Sequence, residues 1–317
     1  MTRWLLRCCL ILAFCLQDFE FRAAMAQSPA CSKPPVAPSV DSTGTPELLK
    51  LDLIALSADG RPVTDLKPED LRLFEGKDER KIQALSAAIR EPLTIGMFFD
   101  VSGSRRADLH FQEETRLASE FLRSVWHEGD MGFVVTFNDE SDVLVRPTNK
   151  LEEIILGLRE LRGVERRGST ALYDALCTLK PEKLAAIPSR KIYVAFSDFE
   201  DNASRNRFEH VSEVLREGRV TIFPMILPEQ FVSSLKKGEK VGRQLAKRIA
   251  DETGGEVLIL EAPEQLATIF RRLAADLQAH YRISYEPSSD ASQKKSKRGK
   301  IRIETTREHV TLLYPKR

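Results

Sequence analysis

Three polar side chains at alternate positions follow a short apolar stretch of this 317-residue chain. Residues 93–99 are predicted to form a buried strand, and Asp100, Ser102 and Ser104 come next. If the chain turns tightly after Asp100, one carboxylate and two hydroxyls can converge on one point. Carboxylate, hydroxyl and water oxygens are the ligands that a hard divalent cation such as Mg²⁺ prefers. The spacing therefore predicts a cation site, with a helix cap as the alternative role for the same side chains.

Two further stretches supply oxygens of the same kind. Thr170 precedes an amphipathic segment and offers a hydroxyl at the start of a helix, and Asp198 follows the apolar run 192–196. Ligands of open α/β sheets bind beyond the carboxyl ends of the strands. If the strands before Asp100 and Asp198 are neighbours in one parallel sheet, all three loops meet at the same edge.

The middle of the chain alternates between strand-like and helix-like patterns. Strands are predicted at residues 93–99, 131–137, 143–145, 192–196, 220–227 and 257–260. Helical stripes separate most of them, and the second and third strands flank the turn 138–140. This order predicts an α/β domain over residues 89–280, with a doubly wound, mostly parallel six-stranded sheet and one antiparallel edge hairpin.

Three motifs together resemble the von Willebrand factor type A (VWA) domain and its metal-ion-dependent adhesion site (MIDAS). They are Asp100-x-Ser102-x-Ser104, the run 168–176, and the stretch 197–202. The chain is most similar to the secreted bacterial VWFA-related proteins of Acidobacteria. The resemblance implies a Rossmann-like fold in which Ser102, Ser104 and Thr170 contact a divalent cation and Asp100 and Asp198 support it directly or through water. It also implies that an acidic group of a partner completes the coordination, with Mg²⁺ favoured and Mn²⁺ or Ca²⁺ as alternatives.

We also predict a rim around the cation where a protein or peptide partner binds. This rim comprises Arg105, Arg167, Phe199, Glu200 and Asp201. The arginines select an acidic partner or simply balance the nearby carboxylates. Phe199 stands where the family usually has glycine. That departure favours the alternative of a VWA scaffold with a degenerate metal site, which mediates protein interaction without metal.

A catalytic role is the third class of function considered. An aspartate at the end of a first strand is also the nucleophile of aspartate-based phosphohydrolases. Those enzymes usually carry a second aspartate where this chain has Ser102, and they require a lysine near a later strand end, whereas Lys191 begins its strand. The five histidines are scattered, and no Gly-x-Ser-x-Gly elbow is present. We therefore expect a non-catalytic binding protein.

Residues 1–26 have the features of a secretory signal peptide. Arg3 and Arg7 flank an apolar stretch that ends at Leu16, and residues 24–26 form an A-x-A cleavage signal. The apolar stretch is too short to span a membrane, and no later stretch is long enough. We expect a secreted, periplasmic or cell-surface protein. Acidic and basic side chains balance after residue 26, so the net charge does not favour nucleic acid as a partner.

Removal of the signal leaves two cysteines. Cys31 lies in a linker predicted at residues 27–45, which is rich in Pro, Ser and Thr, and Cys177 lies on an amphipathic segment. We expect no disulfide between them and a role for Cys177 as a small buried apolar residue.

Short alternating strands flank the central domain at both ends of the chain. They lie within residues 46–88 and within residues 281–317. Three short strands bury too little surface to be stable alone. We therefore predict that the two ends form one β-sandwich-like module, into which the central domain is inserted.

Overall fold

A computed structural model describes residues 48–87, 91–105, 111–179, 189–226, 238–259, 265–278, 280–287 and 300–316. The predicted signal peptide (1–26) and linker (27–45) lie outside these residues. Among the helices of the described ranges, none is long and apolar enough to cross a membrane.

The strands are numbered in chain order. They are β1 (Leu49–Ser57), β2 (Leu71–Glu75), β3 (Asp78–Arg80), β4 (Ile82–Ala87), β5 (Leu93–Asp100), β6 (Met131–Phe137), β7 (Ser141–Thr148), β8 (Arg190–Phe196), β9 (Val220–Ile226), β10 (Leu258–Ile259), β11 (His280–Tyr285), β12 (Ile301–Thr305) and β13 (Val310–Leu313).

The α-helices are numbered in the same way. They are α1 (Phe111–Val125), α2 (Leu151–Glu160), α3 (Leu172–Leu176), α4 (Phe208–Glu217), α5 (Gly238–Thr253) and α6 (Leu266–Gln278). Helix α3 is shorter than its apolar stripe suggests, because that stripe continues to Leu179 whereas the helix ends at Leu176.

The central domain is built on a six-stranded sheet in the order β10-β9-β8-β5-β6-β7. All neighbouring pairs are parallel except β6 and β7, which form the antiparallel edge hairpin. The predicted doubly wound α/β sheet is therefore confirmed.

Strand β5 lies at the centre of this sheet, and all eight of its residues are buried. Its side chains alternate between the two faces, as strand geometry requires. Met97 and Phe99 enter a core beneath helices α1, α2 and α6, whereas Phe98 enters a second core beneath α3, α4 and α5. Phe99 stacks on Phe196 of β8 with ring centroids 4.6 Å apart. Apolar packing on both faces thus fixes where β5 and β8 end.

The two ends of the chain form a separate β module. One sheet has the order β13-β1-β11-β4 and the other has the order β12-β2-β3. Strand β1 pairs antiparallel with both β11 and β13, so N-terminal and C-terminal strands share one sheet. A third apolar core, which includes Leu53, Leu73 and Ile283, lies between the sheets.

Cys177 has a feature that the sequence did not predict. The residue is buried in the second core as expected, but it is disulfide-bonded. Its partner lies outside the described residues, since the other cysteines, Cys8, Cys9, Cys15 and Cys31, all precede residue 48. The predicted absence of a Cys31–Cys177 disulfide stays a prediction, because Cys31 lies outside the described residues.

Candidate metal centre

Asp100 and Asp198 leave the sheet at the same edge. Strands β5 and β8 are parallel neighbours, with Phe99 paired to Phe196, so the residues that follow them emerge side by side. Asp100 is completely buried. Its Oδ1 accepts a hydrogen bond from the Ser102 backbone N–H (2.9 Å), and its Oδ2 accepts one from the Ser197 hydroxyl (2.6 Å). The Asp100 carboxylate therefore fixes the turn after β5 against the turn after β8.

The loop after β5 is also joined to the loop before α3. The Gly103 N–H donates to the Gly168 carbonyl (3.0 Å), and the Arg167 N–H donates to the Val101 carbonyl (2.9 Å). Gly168 has a φ of +82°, a conformation that L side chains rarely adopt. Backbone contacts thus set the relative position of the two loops.

Thr170 ties the loop before α3 to the loop after β8. The backbone N–H groups of Asn202 and Ala203 both donate to the Thr170 carbonyl at 3.0 Å. In return, the Thr170 N–H donates to the Asn202 side-chain oxygen at 2.9 Å. All three loops are therefore linked, and they hold the five predicted ligands at one edge of the sheet. We call the set Asp100, Ser102, Ser104, Thr170 and Asp198 the carboxyl edge.

The side-chain oxygens of the carboxyl edge have spacings that suit a small cation. The Ser102 and Ser104 hydroxyl oxygens are 3.0 Å apart, and Ser104 donates to Asp198 Oδ2 at 2.6 Å. Adjacent ligands of an octahedral Mg²⁺ with bonds of about 2.1 Å lie about 3.0 Å apart. Within the described ranges, the hydroxyl of Thr170 makes no hydrogen bond, although the residue is buried. Its lone pairs are therefore available.

The donor set consists of two carboxylates and three hydroxyls. No imidazole or thiolate belongs to it, and the described part of the chain contains no group of three His, Cys, Asp or Glu side chains placed to hold a metal. Such oxygen donors suit Mg²⁺, Mn²⁺ or Ca²⁺ rather than a soft transition metal. The residues present therefore fit a hard divalent cation.

The predicted rim residues differ in their surroundings. Arg167 is exposed, and its guanidinium lies 3.5 Å from the carboxylate of Glu165. Burial and the nearby charge of Asp198 raise the pKa of the half-buried Glu200. Asp201 accepts hydrogen bonds from the Tyr173 N–H (3.0 Å) and the Ser204 hydroxyl (2.6 Å). Asp201 thus anchors the start of α3. Arg105 ends the 3₁₀ turn Gly103–Arg105.

Phe199 does not belong to the rim, contrary to the prediction. Only 1% of the residue is exposed, and its ring lies in the second core. Its φ is +59°, the left-handed conformation that glycine adopts most readily. This backbone conformation costs about 1–2 kcal/mol in a residue with a Cβ, and burial of the ring offsets it with about 1.5–3 kcal/mol. The loop therefore keeps a glycine-like turn with phenylalanine in it, which removes the main reason to expect a degenerate site.

Two positioning residues were not identified from the sequence. The Ser197 hydroxyl donates to Asp100 and accepts from the Phe199 N–H at 2.9 Å, so it links both strand ends. A Cβ on Gly242 of α5 would lie 2.1 Å from the Asp198 carbonyl oxygen, so only glycine allows this helix to approach the loop. The position of Ser197 beside Asp198 is a weak signal for its role, and the sequence offers none for Gly242.

No protein-family model matches the chain, and no curated protein matches it. Among solved structures, the chain is similar to a von Willebrand factor type A protein from Catenulispora acidiphila, with 11% identity, a TM-score of 0.47, and coverage of 86% of this chain and 73% of that chain. It is similar to the vWF domain of the type V pili tip protein Mfa5 from Porphyromonas gingivalis, with 12% identity, a TM-score of 0.46, and coverage of 59% and 95%.

A third similar structure is a point mutant of the PilB minor pilin from Streptococcus sanguinis. The identity is 14%, the TM-score is 0.44, and the match covers 64% of this chain and 63% of the pilin. The chain therefore spans less than two thirds of that pilin. VWA domains are thus among the solved structures that the chain resembles, as its three motifs predict.

Proposed function

We propose that this chain is a VWA-type binding protein that holds a divalent cation at the carboxyl edge and binds an acidic group of a protein or peptide through it. The observation that carries the proposal is the set of oxygens from three linked loops. Ser102 and Ser104 hydroxyls lie 3.0 Å apart, and the Thr170 hydroxyl makes no hydrogen bond within the described residues. These features support a coordination site over a set of helix caps.

Three of the five residues would contact the cation, and the two aspartates would support them. Ser102, Ser104 and Thr170 would hold the cation through neutral hydroxyls, and Asp198 would support them through Ser104. Asp100 would support the site without contacting the cation directly, because both of its oxygens already accept hydrogen bonds. A bound Mg²⁺ held in this way keeps a net positive charge, which attracts a carboxylate oxygen from outside.

An adhesion-type role without catalysis accords with the rest of the chain. Lys191, the lysine that a phosphohydrolase mechanism would require near Asp100, lies at the amino end of β8 and donates to the Ser189 carbonyl at 3.1 Å. The signal-like residues 1–26 would place the protein outside the cytoplasm. We accordingly propose a secreted, periplasmic or cell-surface binding protein.

Isothermal titration with Mg²⁺ and Mn²⁺ tests the cation site. The key variant is Thr170→Val, which removes one hydroxyl, keeps the side-chain shape and breaks no hydrogen bond among the described residues. We expect the wild type to bind saturably and Thr170→Val to bind at least tenfold more weakly. Thr311→Val, on the exposed side of β13, is the matched control and should bind as the wild type does. Absent binding by the wild type, or equal binding by Thr170→Val, would refute the site.

A peptide experiment tests the partner. A glutamate-rich peptide and its glutamine-substituted counterpart are compared for binding to the immobilised protein, in Mg²⁺ and in EDTA. We expect binding of the acidic peptide alone, and only with Mg²⁺. Binding that survives EDTA would instead support the metal-independent scaffold.

A further inference from the structure

A second polar cluster lies at the opposite end of the same strands, where β8 and β9 begin. It comprises Arg190, Arg219 and Arg282 with Asp52 and Glu91, and we call it the arginine cluster. Asp52 Oδ1 accepts from Arg282 Nε at 2.8 Å, and Asp52 Oδ2 accepts from Arg219 Nη2 at 2.6 Å. Both Glu91 oxygens accept from the two terminal nitrogens of Arg282. Arg219 and Arg282 therefore occupy all four carboxylate oxygens of the cluster.

Arg190 is left without a carboxylate. It is 2% exposed, and its guanidinium makes a single long hydrogen bond, from Nη1 to the Leu277 carbonyl at 3.4 Å. Its Nε is buried without a partner, and no carboxylate of the described residues forms an ion pair with it. Burial lowers the pKa of Arg190 to about 10, so the group remains charged at neutral pH. Asp52 and Glu91 oppose this shift without forming an ion pair with Arg190, and Arg219 and Arg282 add to it. A buried cation that no carboxylate contacts is costly in a folded protein.

The uncompensated arginine lines a large cleft between the central domain and the β module. The cleft has a volume of about 1100 Å³, and β1, α4, α5 and the C-terminal segment contribute to its walls. Lysine and arginine outnumber aspartate and glutamate along the walls by eight to six. Lys50, Arg216 and Lys300 also line the cleft and form no ion pair within the described ranges. The cleft therefore carries an excess of positive charge.

We propose that this cleft binds an oxyanion, a phosphate or carboxylate group, seated on the guanidinium of Arg190. A planar guanidinium has five N–H donors, and a carbonyl at 3.4 Å uses only one of them. An oxyanion would satisfy the remaining donors and neutralise the buried charge. The site shares no residue with the carboxyl edge and does not depend on a cation there.

Thermal unfolding tests the proposal with the probes phosphate and acetate. The full chain is heated in EDTA with increasing sodium phosphate or sodium acetate, and sodium chloride keeps the ionic strength constant. A ligand that binds only the folded state raises the Tm in a saturable way. We expect such a rise for at least one probe. The probe that binds more tightly identifies the class of oxyanion. Equal Tm values in phosphate, acetate and chloride would overturn the proposal.

Variants locate the anion. Arg190→Gln should abolish the saturable rise, whereas Arg61→Gln, which alters a largely exposed arginine outside the cleft walls, should keep it. A full response in folded Arg190→Gln would mean that Arg190 only caps the end of α6, and it would overturn the assignment. If Arg190→Gln does not fold, the double variant Lys50→Gln and Arg216→Gln decides. We expect its saturable rise in Tm to require at least twice the probe concentration, and an unchanged rise would contradict the proposal.

Discussion

The two ends of strands β5 and β8 carry opposite chemistry. At the carboxyl edge, carboxylate and hydroxyl oxygens lie within hydrogen-bond distance of one another. At the arginine cluster, Arg219 and Arg282 pair with two carboxylates, and Arg190 lies beside them without an ion pair among the described residues. We accordingly propose a cation at the first end and an anion at the second.

The two ends also differ in how they are held. The loops of the carboxyl edge are joined by backbone hydrogen bonds within the central domain, such as Gly103 to Gly168 and Asn202 to Thr170. The arginine cluster is held by side chains from the β module, since Asp52 lies on β1 and Arg282 lies on β11. The geometry of the carboxyl edge therefore belongs to the central domain, whereas the arginine cluster exists only when both chain ends are in place.

The largest effect is expected from Phe199→Gly, which tests whether core packing holds the carboxyl edge. Removal of a buried phenylalanine ring costs about 3–5 kcal/mol, and relief of the left-handed backbone returns about 1 kcal/mol. We expect the free energy of unfolding to fall by about 3 kcal/mol, as measured by urea denaturation. The control Phe199→Leu keeps most of the apolar volume and should lose about half as much. A Phe199→Gly variant with wild-type stability would mean that the turn does not need the core.

A smaller, pH-dependent effect is expected at the arginine cluster. Burial lowers the pKa of His280 to about 4, Arg190 and Arg282 act in the same direction, and Asp52 opposes them. Between pH 6.5 and pH 4 the imidazole therefore binds a proton in the unfolded chain but not in the folded one. The free energy of unfolding should fall over this range, by about 2 kcal/mol after allowance for partial solvent access.

Urea denaturation at several pH values measures how the free energy of unfolding depends on pH, and His280→Gln should weaken this dependence.

The carboxylates of the arginine cluster titrate in a different pH range. Burial raises the pKa of Asp52, but hydrogen bonds from Arg282 and Arg219 outweigh it and leave the pKa below its usual value. A hydrogen bond from Arg282 likewise lowers the pKa of Glu91. Their stabilisation is lost only below about pH 4. A slope that persists in His280→Gln would assign the titration to another group.

The smallest effect is expected from Glu200→Gln at the carboxyl edge. Burial and the charge of Asp198 raise the pKa of Glu200, which means that folding disfavours its ionised form. Removal of this charge should stabilise the metal-free protein by a few tenths of a kcal/mol, because solvent screens most of the repulsion. The gain should disappear in saturating Mg²⁺, since a bound cation would already balance the charge. Differential scanning calorimetry with Mg²⁺ or EDTA would detect the difference, and an equal gain in both would argue against a cation beside Glu200.

Local patterns predicted the sheet and the placement of the five ligand candidates at one of its edges. The apolar run before Asp100 and its counterpart before Ser197 have the length and continuity of buried strands, and the polar residues follow them at once. Parallel pairing of β5 and β8 was then enough to bring the groups to one edge. This part of the molecule could be predicted because each step depends on neighbours in the sequence.

The parts that were not predicted depend on long-range contacts. Asp52 and Arg282 are 230 positions apart, and no periodicity relates them. Phe199 was misplaced because its neighbours in the sequence are polar, whereas its left-handed backbone turns the ring into the second core. The disulfide at Cys177 was missed for the same reason, since pairing is decided by the fold.

The connection of the two chain ends has a mechanical consequence. Strands β1 and β13 are antiparallel neighbours, with Ile54 opposite Leu313, so tension between the described ends would peel β13 from β1 one hydrogen bond at a time. The contacts between Lys316 and Asp251 of α5 would break first, and the central sheet lies off the remaining path.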